Sequence, residues 1–129
     1  KYPPDIILLG VGENGHLAFN DPPVADFNDP EIVKIVDLDD VCRNQQVNDG
    51  CFAKIDDVPK RAITLTMSAI FAVPEAVAVV PGLLKAKAVN AMLNGPVSTG
   101  CPASILRNHP QSVLYLDRES ASVAFAGKL

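Results

Sequence analysis

The stretch Asp5-Ile-Ile-Leu-Leu-Gly10-Val-Gly12-Glu-Asn14-Gly15-His16-Leu-Ala-Phe-Asn20-Asp21-Pro-Pro23 decides the fold. Asp5 to Leu9 is an uninterrupted aliphatic run, the pattern of a strand covered on both faces rather than the alternation of a half-exposed one. Glycine-rich backbone follows at once, and α/β proteins place ligands where a buried strand ends in such a turn. The chemistry is therefore expected to begin at Gly10, in a loop that delivers His16, Asp21 and the carboxamides of Asn14 and Asn20.

Gly10-x-Gly12-x-x-Gly15 has the form of a dinucleotide fingerprint, and Asp37 supplies an acidic residue about twenty positions on. That fingerprint needs a crossover helix opening at its third glycine. Here six residues separate Gly15 from Pro22-Pro23, and proline lacks an amide hydrogen and disfavours helix in the residue before it. A nicotinamide site is set aside, and no organic cofactor is expected.

Outward from this loop, apolar runs alternate with helical segments, which favours an α/β fold of three layers: a Rossmann-like, mostly parallel sheet with helices on both faces. Further strands are expected at Ile32 to Leu38, Ala62 to Thr66, Ala76 to Val80 and Ser112 to Leu116. Cys42 to Phe52 reads as a polar helix covering the site, and Ser68 to Phe71 as a helical turn. A helix follows Gly82 and stops at Asn94-Gly95-Pro96. Ser98-Thr99 is expected to cap a helix from about Pro102 to Arg107, and Asp117 another from about Arg118 to Ala126. Residues 1–129 read as a single domain whose sheet is incomplete at its N-terminal side, because only Tyr2-Pro3-Pro4 separates Lys1 from the first strand.

Strand, Gly82 turn and helix point free amides and the positive end of a helix dipole at an anion. Lys85 adds a cation where dipole logic alone favours an acid, which suggests an anionic ligand; a solvated surface lysine is the plainer alternative. The 129 residues are 48% hydrophobic with a net charge of −4, so nothing suggests a nucleic-acid surface. No apolar run reaches the ~20 residues that span a bilayer. Cys42, Cys51 and Cys101 form an odd set without a Cys-x-x-Cys pair, as in reduced cytoplasmic proteins. No metal is expected.

Histidine is the side chain whose unperturbed pKa lies near neutrality, so His16 is the candidate for moving protons between oxygens of a ligand. The plainer alternative is a histidine that satisfies loop carbonyls. His109, before Pro110 in a polar turn, is expected to face solvent.

Gly10-Val-Gly-Glu-Asn-Gly-His-Leu-Ala-Phe-Asn-Asp-Pro22 closely resembles the active-site loop of the glucosamine-6-phosphate deaminase/isomerase family, Gly-x-Gly-x-Asp-Gly-His-x-Ala-Phe-Asn-Glu-Pro. Val58-Pro-Lys-Arg-Ala-Ile-Thr-Leu-Thr66 and Gly82-Leu-Leu-Lys85-Ala86 resemble two further family segments at compatible spacing. The resemblance runs from about Asp5 to about Asp117 and implies the C-terminal portion of a divergent member. Sugar-phosphate lactonases share the glycine-histidine loop but resemble His-Thr-Ala-Ser where this chain has His16-Leu-Ala-Phe.

The resemblance implies conversion of a hexosamine 6-phosphate to a ketose 6-phosphate with release of ammonia, without metal or organic cofactor. His16 would open the sugar ring, Asp21 would work with it in place of a family glutamate, and Asn14 stands where the family has an aspartate. Gly10, Gly12, Gly15, Gly82 and Lys85 would hold the sugar phosphate. Gln46 falls where the family has a phosphate-gripping arginine, for which Arg43 is a nearby substitute. The family's enolising aspartate lies in an Asp-Glu-Tyr segment that this sequence lacks. The expected partners are a small-molecule sugar phosphate and further copies of the chain, with no nucleic acid and no membrane. A sugar-phosphate lactonase and a non-catalytic sugar-phosphate-binding protein are the alternatives.

Overall fold

The computed structural model describes residues 2–128. Five strands, β1 (Ile6–Leu9), β2 (Val33–Asp37), β3 (Arg61–Leu65), β4 (Glu75–Val80) and β5 (Ser112–Leu116), are joined, from β2 onward, in alternation with helices α1 (Asp40–Asn48), α2 (Met67–Phe71), α3 (Ala86–Asn94) and α4 (Arg118–Ala121). Side chains set where α1, α2 and α4 start. Asp39 accepts the Cys42 amide at 2.7 Å to open α1, Thr66 accepts the Ala69 amide at 3.2 Å to open α2, and Asp117 forms a capping box with Ser120.

β1, β4 and β5 form a parallel sheet in the order β1-β4-β5, whereas β2 and β3 pair antiparallel as a separate ribbon. The mixed α/β architecture with a parallel sheet stands, but two of the expected strands lie outside that sheet. The link between β2 and β3 explains the difference. α1 is fastened back beside the ribbon, with Arg43 donating to the carbonyls of Ile55 at 2.7 Å and Val58 at 3.3 Å, so the chain returns antiparallel rather than crossing over.

Cover is one-sided. Ile7, Leu9, Ala76, Ala78, Val80, Leu114 and Leu116 turn inward onto Met67, Ile70, Val89, Met92 and Leu106. The alternate residues Ile6, Leu8, Val79, Val113 and Tyr115 are exposed, Leu8 to 75%. The aliphatic run of β1 predicted cover on both faces; among the described residues, helices cover one. Apolar sequence reports what a face can bury, not whether a partner layer lies against it.

Three further expectations shift. Ser98-Thr99 does not cap the helical turn at Pro102–Asn108, which is 3-10 and carries no side-chain cap; the Ser104 hydroxyl instead exchanges hydrogen bonds with the Ser98 amide at 3.0 Å and carbonyl at 3.2 Å. α1 stops short of Phe52 where Gly50 takes φ +76°, a left-handed position suited to glycine. His109 is buried rather than solvent-facing. Its Nε2 lies 2.8 Å from the Val73 carbonyl, its Nδ1 accepts the Gln111 amide at 3.1 Å, and its ring meets Phe71 edge-on with centroids 5.2 Å apart. Pro110 donates no hydrogen bond of its own, so the ring before it closes the turn.

Two outcomes follow from this packing. His109→Ala leaves the Val73 carbonyl and the Gln111 amide without their ring partner and should cost about 1–3 kcal/mol in urea unfolding; an unchanged midpoint would contradict the packing role. The open sheet face should make the chain associate as its concentration rises, and a Leu8→Lys/Tyr115→Lys variant should scatter light as a smaller species.

Candidate active site

The loop after β1 is folded around bare glycine backbone. The Gly12 amide donates to the His16 carbonyl at 3.0 Å and the Gly15 amide to the Gly12 carbonyl at 2.9 Å, which turns the chain back so that the His16 ring lies against the Gly12 Cα. A Cβ at Gly12 would overlap that ring. Gly15, at φ +83°, packs so closely on Cys101 that a Cβ would come within 2.6 Å of its Sγ. The far side of the loop is pinned to β3: the Phe19 amide donates to Thr64 Oγ1 at 3.1 Å, and Asn20 Nδ2 donates to the carbonyls of Leu17 at 2.9 Å and Leu65 at 2.7 Å. Between these anchors Ala18 is held at φ +52°, a position an alanine adopts only where its surroundings impose it.

These anchors bring the polar side chains together. His16 Nδ1 lies 2.7 Å from Asn14 Oδ1 and 3.0 Å from Asp21 Oδ1. Asn14 Nδ2 donates to Asp21 Oδ1 at 3.1 Å and to Asp39 Oδ2 at 3.4 Å, while its Oδ1 accepts the His16 amide at 3.1 Å. Asp21 is fully buried. Burial pushes its carboxyl upward, but the hydrogen bonds from His16 and Asn14, with the charge of His16, outweigh burial and hold it below the usual carboxylate value. An ionised Asp21 is acceptor-only, so Nδ1 carries a proton and Nε2 is the basic nitrogen.

Cys42 completes the buried group. One ligand atom each from His16, Asp21 and Cys42 lies within 4.8 Å of the others. Burial, and then the neighbouring Asp21 charge, push the Cys42 thiol up to about 12. With Nδ1 engaged by two oxygen acceptors, the group reads as a hydrogen-bonded His-Asp pair with a buried, protonated cysteine beside it.

A cleft of about 570 Å³ opens beside this group, at the carboxyl ends of β1 and β4. Of the residues singled out in the sequence, Gly10, Gly12, His16, Gln46 and Lys85 line it. Lys85 is half-buried, and among the described residues its ammonium makes no salt bridge. Asn14 and Asp21 stand behind the ring. Three others have different work. Gly15 packs on Cys101, Arg43 is spent on Asp40 and the 55–58 carbonyls, and the Gly82 amide donates to Asp117 Oδ2 at 2.8 Å. The amide expected to meet an anion at Gly82 is thus taken, because Asp117 both caps α4 and closes the turn.

Two residues escaped notice. Gln45 lines the cleft and its Oε1 accepts the Glu13 amide at 3.0 Å, tying α1 to the glycine loop. Thr64 props the loop and lines the cleft as well. Only the Thr-Leu-Thr ending of a resemblance segment hinted at Thr64, and nothing local marked Gln45 over Gln46.

No family model matches the chain. Individual relatives do. A curated glucosamine-6-phosphate deaminase from Bacillus thuringiensis (strain Al Hakam) is 40% identical over 121 residues, which is 94% of this chain and 44% of that protein. A solved monomeric glucosamine-6-phosphate deaminase matches with TM-score 0.84 and 36% identity over 92% of this chain and 47% of its own. The 6-phosphogluconolactonase of Trypanosoma cruzi matches with TM-score 0.65 over 92% of this chain and 40% of its own, at 21% identity, which speaks for the fold alone. The fold is therefore one that solved deaminases and lactonases of sugar phosphates share. Within that class the chain is a relative of the glucosamine-6-phosphate deaminase/isomerase family, and it spans less than half the length of the curated relatives it matches.

The lowered carboxyl of Asp21 fixes a pH dependence. A group whose folded pKa lies below its unfolded value, near ~3.9 for aspartate, contributes stability above that unfolded value and loses it as pH falls through the folded one. Asp21→Asn should therefore flatten the acid side of the stability profile measured by urea midpoints; an acid limb identical to wild type would show that Asp21 is not held ionised.

Proposed function

We propose that the protein isomerises and deaminates a hexosamine 6-phosphate. One observation carries this reading: a histidine held by its Nδ1 against Asn14 and a buried carboxylate lines a cleft where, among the described residues, Lys85 is the only charged lining residue. The arrangement suits a proton carrier beside an anion site.

In the proposed sequence, His16 Nε2 takes the proton of the anomeric hydroxyl and returns it to the ring oxygen, opening the sugar to its aldehyde. Asp21 stabilises the transient imidazolium, as a buried carboxylate does for a general base. The C2 proton then moves to C1 through an enolic intermediate, leaving an imine at C2 that water hydrolyses to a ketone and ammonia. Among the described residues no carboxylate lines the cleft; the family resemblance implies that the base for the C2 step is the aspartate of an Asp-Glu-Tyr segment. Lys85 would hold the phosphate, with Gln46 contributing a neutral carboxamide rather than a bidentate guanidinium.

The free cysteines Cys42, Cys51 and Cys101 suit a reducing, cytoplasmic setting, and the open sheet face suits assembly with further copies of the chain. No helix among the described residues is long and apolar enough to cross a membrane.

His16→Gln keeps the size and polarity of the side chain but cannot carry the proton. It should lower ammonia release from glucosamine 6-phosphate by about 10²–10⁴-fold with a melting temperature close to wild type. If the intact protein releases no ammonia from any hexosamine 6-phosphate but consumes 6-phosphogluconolactone, the lactonase reading replaces this one; if it binds sugar phosphate and transforms neither, it is a binding protein.

A further inference from the structure

Asn14 stands where the resemblance sets an aspartate, and its surroundings show what the amide does. The orientation of the carboxamide is fixed by partners with no choice of role. The His16 main-chain N–H is a donor, so the atom 3.1 Å from it is Oδ1. Asp21 Oδ1 at 3.1 Å and Asp39 Oδ2 at 3.4 Å are acceptors, so the atom facing both is Nδ2. A flipped amide would set donor against donor and carbonyl against two carboxylates. Because Oδ1 cannot donate, the 2.7 Å contact to His16 Nδ1 requires the proton to sit on Nδ1.

The same amide reaches α1. Asp39 uses its other oxygen, Oδ1, to cap α1 through the Cys42 amide at 2.7 Å, and its own amide lies 3.5 Å from Asp21 Oδ2. α1 carries Gln45, bonded to the Glu13 amide, and the cleft-lining Gln46. One carboxamide thus touches the ring, its carboxylate partner and the capping residue of the helix that supplies a wall of the cleft.

We propose that Asn14 is a positioning residue that fixes the reactive tautomer of His16 and latches helix α1 to the catalytic loop by bridging Asp21 and Asp39. The proposal rests on the reading of His16 as the proton carrier. An aspartate at this position would keep the acceptor for Nδ1 but put an oxygen against Asp21 and Asp39. Three carboxylates would then meet at hydrogen-bond distance, and such a group binds a proton that isolated carboxylates release. The titratable groups facing position 14 are His16 and Asp21 from the loop and Asp39 and Cys42 from the start of α1. Asn14 avoids the extra proton and adds no titrating group of its own to the latch.

The test reads the tautomer and the latch without using turnover. In intact protein carrying ¹⁵N-labelled histidine, with His16 assigned by its loss in His16→Gln, the neutral form of the ring should show Nδ1 as a protonated nitrogen and Nε2 as an unprotonated one; the reverse pattern overturns the tautomer assignment. In Asn14→Asp the shared proton has a folded pKa above its unfolded value, so its stabilisation is present at low pH and lost as pH rises through the folded value. The melting temperature of Asn14→Asp relative to wild type should fall by about 5 °C between about pH 5 and about pH 8. Adding Asp39→Asn, whose amide can donate to the introduced carboxylate while its oxygen keeps the cap, should shrink that fall. Should Asn14→Asp fail to fold at neutral pH, recovery at about pH 5 or in the double variant supports the latch, and failure in both overturns it. A pH profile parallel to wild type overturns it too. Absence of ammonia release by the intact wild-type protein, with the tautomer and the profile as described, would instead count against the assigned reaction.

Discussion

The contact between the His16 ring and the bare Cα of Gly12 is the constraint on which the site depends. Any side chain at Gly12 would occupy the space of the ring, and with the ring displaced, its Nδ1 would leave Asn14 and Asp21. The carboxylate of Asp21 is fully buried; an ionised group there is tolerable because His16, Asn14 and the Asp39 main-chain amide donate to it. Packing and electrostatics are thus one problem in this loop. The glycine makes room for the imidazole, and the imidazole makes the buried charge acceptable.

The cleft is shared between two pieces of β-structure that differ in kind. The parallel sheet contributes Gly10 and Val80 at the carboxyl ends of β1 and β4, while the antiparallel ribbon contributes Ile63, Thr64 and Leu65. Asn20, fully buried, is the fastener between them, since its single amide reaches the Leu17 carbonyl within the loop and the Leu65 carbonyl on β3. A ribbon held only by its own two strands is marginal. Its connection to the loop therefore stabilises the ribbon and fixes one wall of the site together.

Much of this was legible in the sequence, for identifiable reasons. Strand positions were marked by short apolar runs between glycine, proline and aspartate, and β5 runs from Ser112 to Leu116 as expected. His16, Asp21 and Asn14 were marked by their place in a glycine loop whose backbone cannot serve a helix. Partner choice was not legible. Whether a strand such as Val33–Asp37 joins the central sheet or pairs elsewhere depends on contacts far apart in the chain, and the apolar pattern is the same in either case. The same holds for Arg43, Gly82 and His109. Each has the right chemistry or setting for its expected role, and each is occupied by a distant group: the Val58 carbonyl, Asp117 or the Val73 carbonyl.

The separation of charges across the site follows from these assignments. The acidic side chains Asp21 and Asp39 sit behind the imidazole, joined through Asn14, whereas Lys85 lies on the cleft side. An anionic ligand entering the cleft meets the lysine and the neutral carboxamide of Gln46 before it senses the carboxylates. In the proposed reaction a proton taken up at Nε2 would place positive charge between the buried carboxylate and the cleft, where both Asp21 and a bound anion would stabilise it. A carboxylate placed directly in the cleft would have repelled the same ligand. The imidazole therefore stands between a buried acid and the cleft, and that arrangement requires the aspartate to be dry and the glycine loop to be closed.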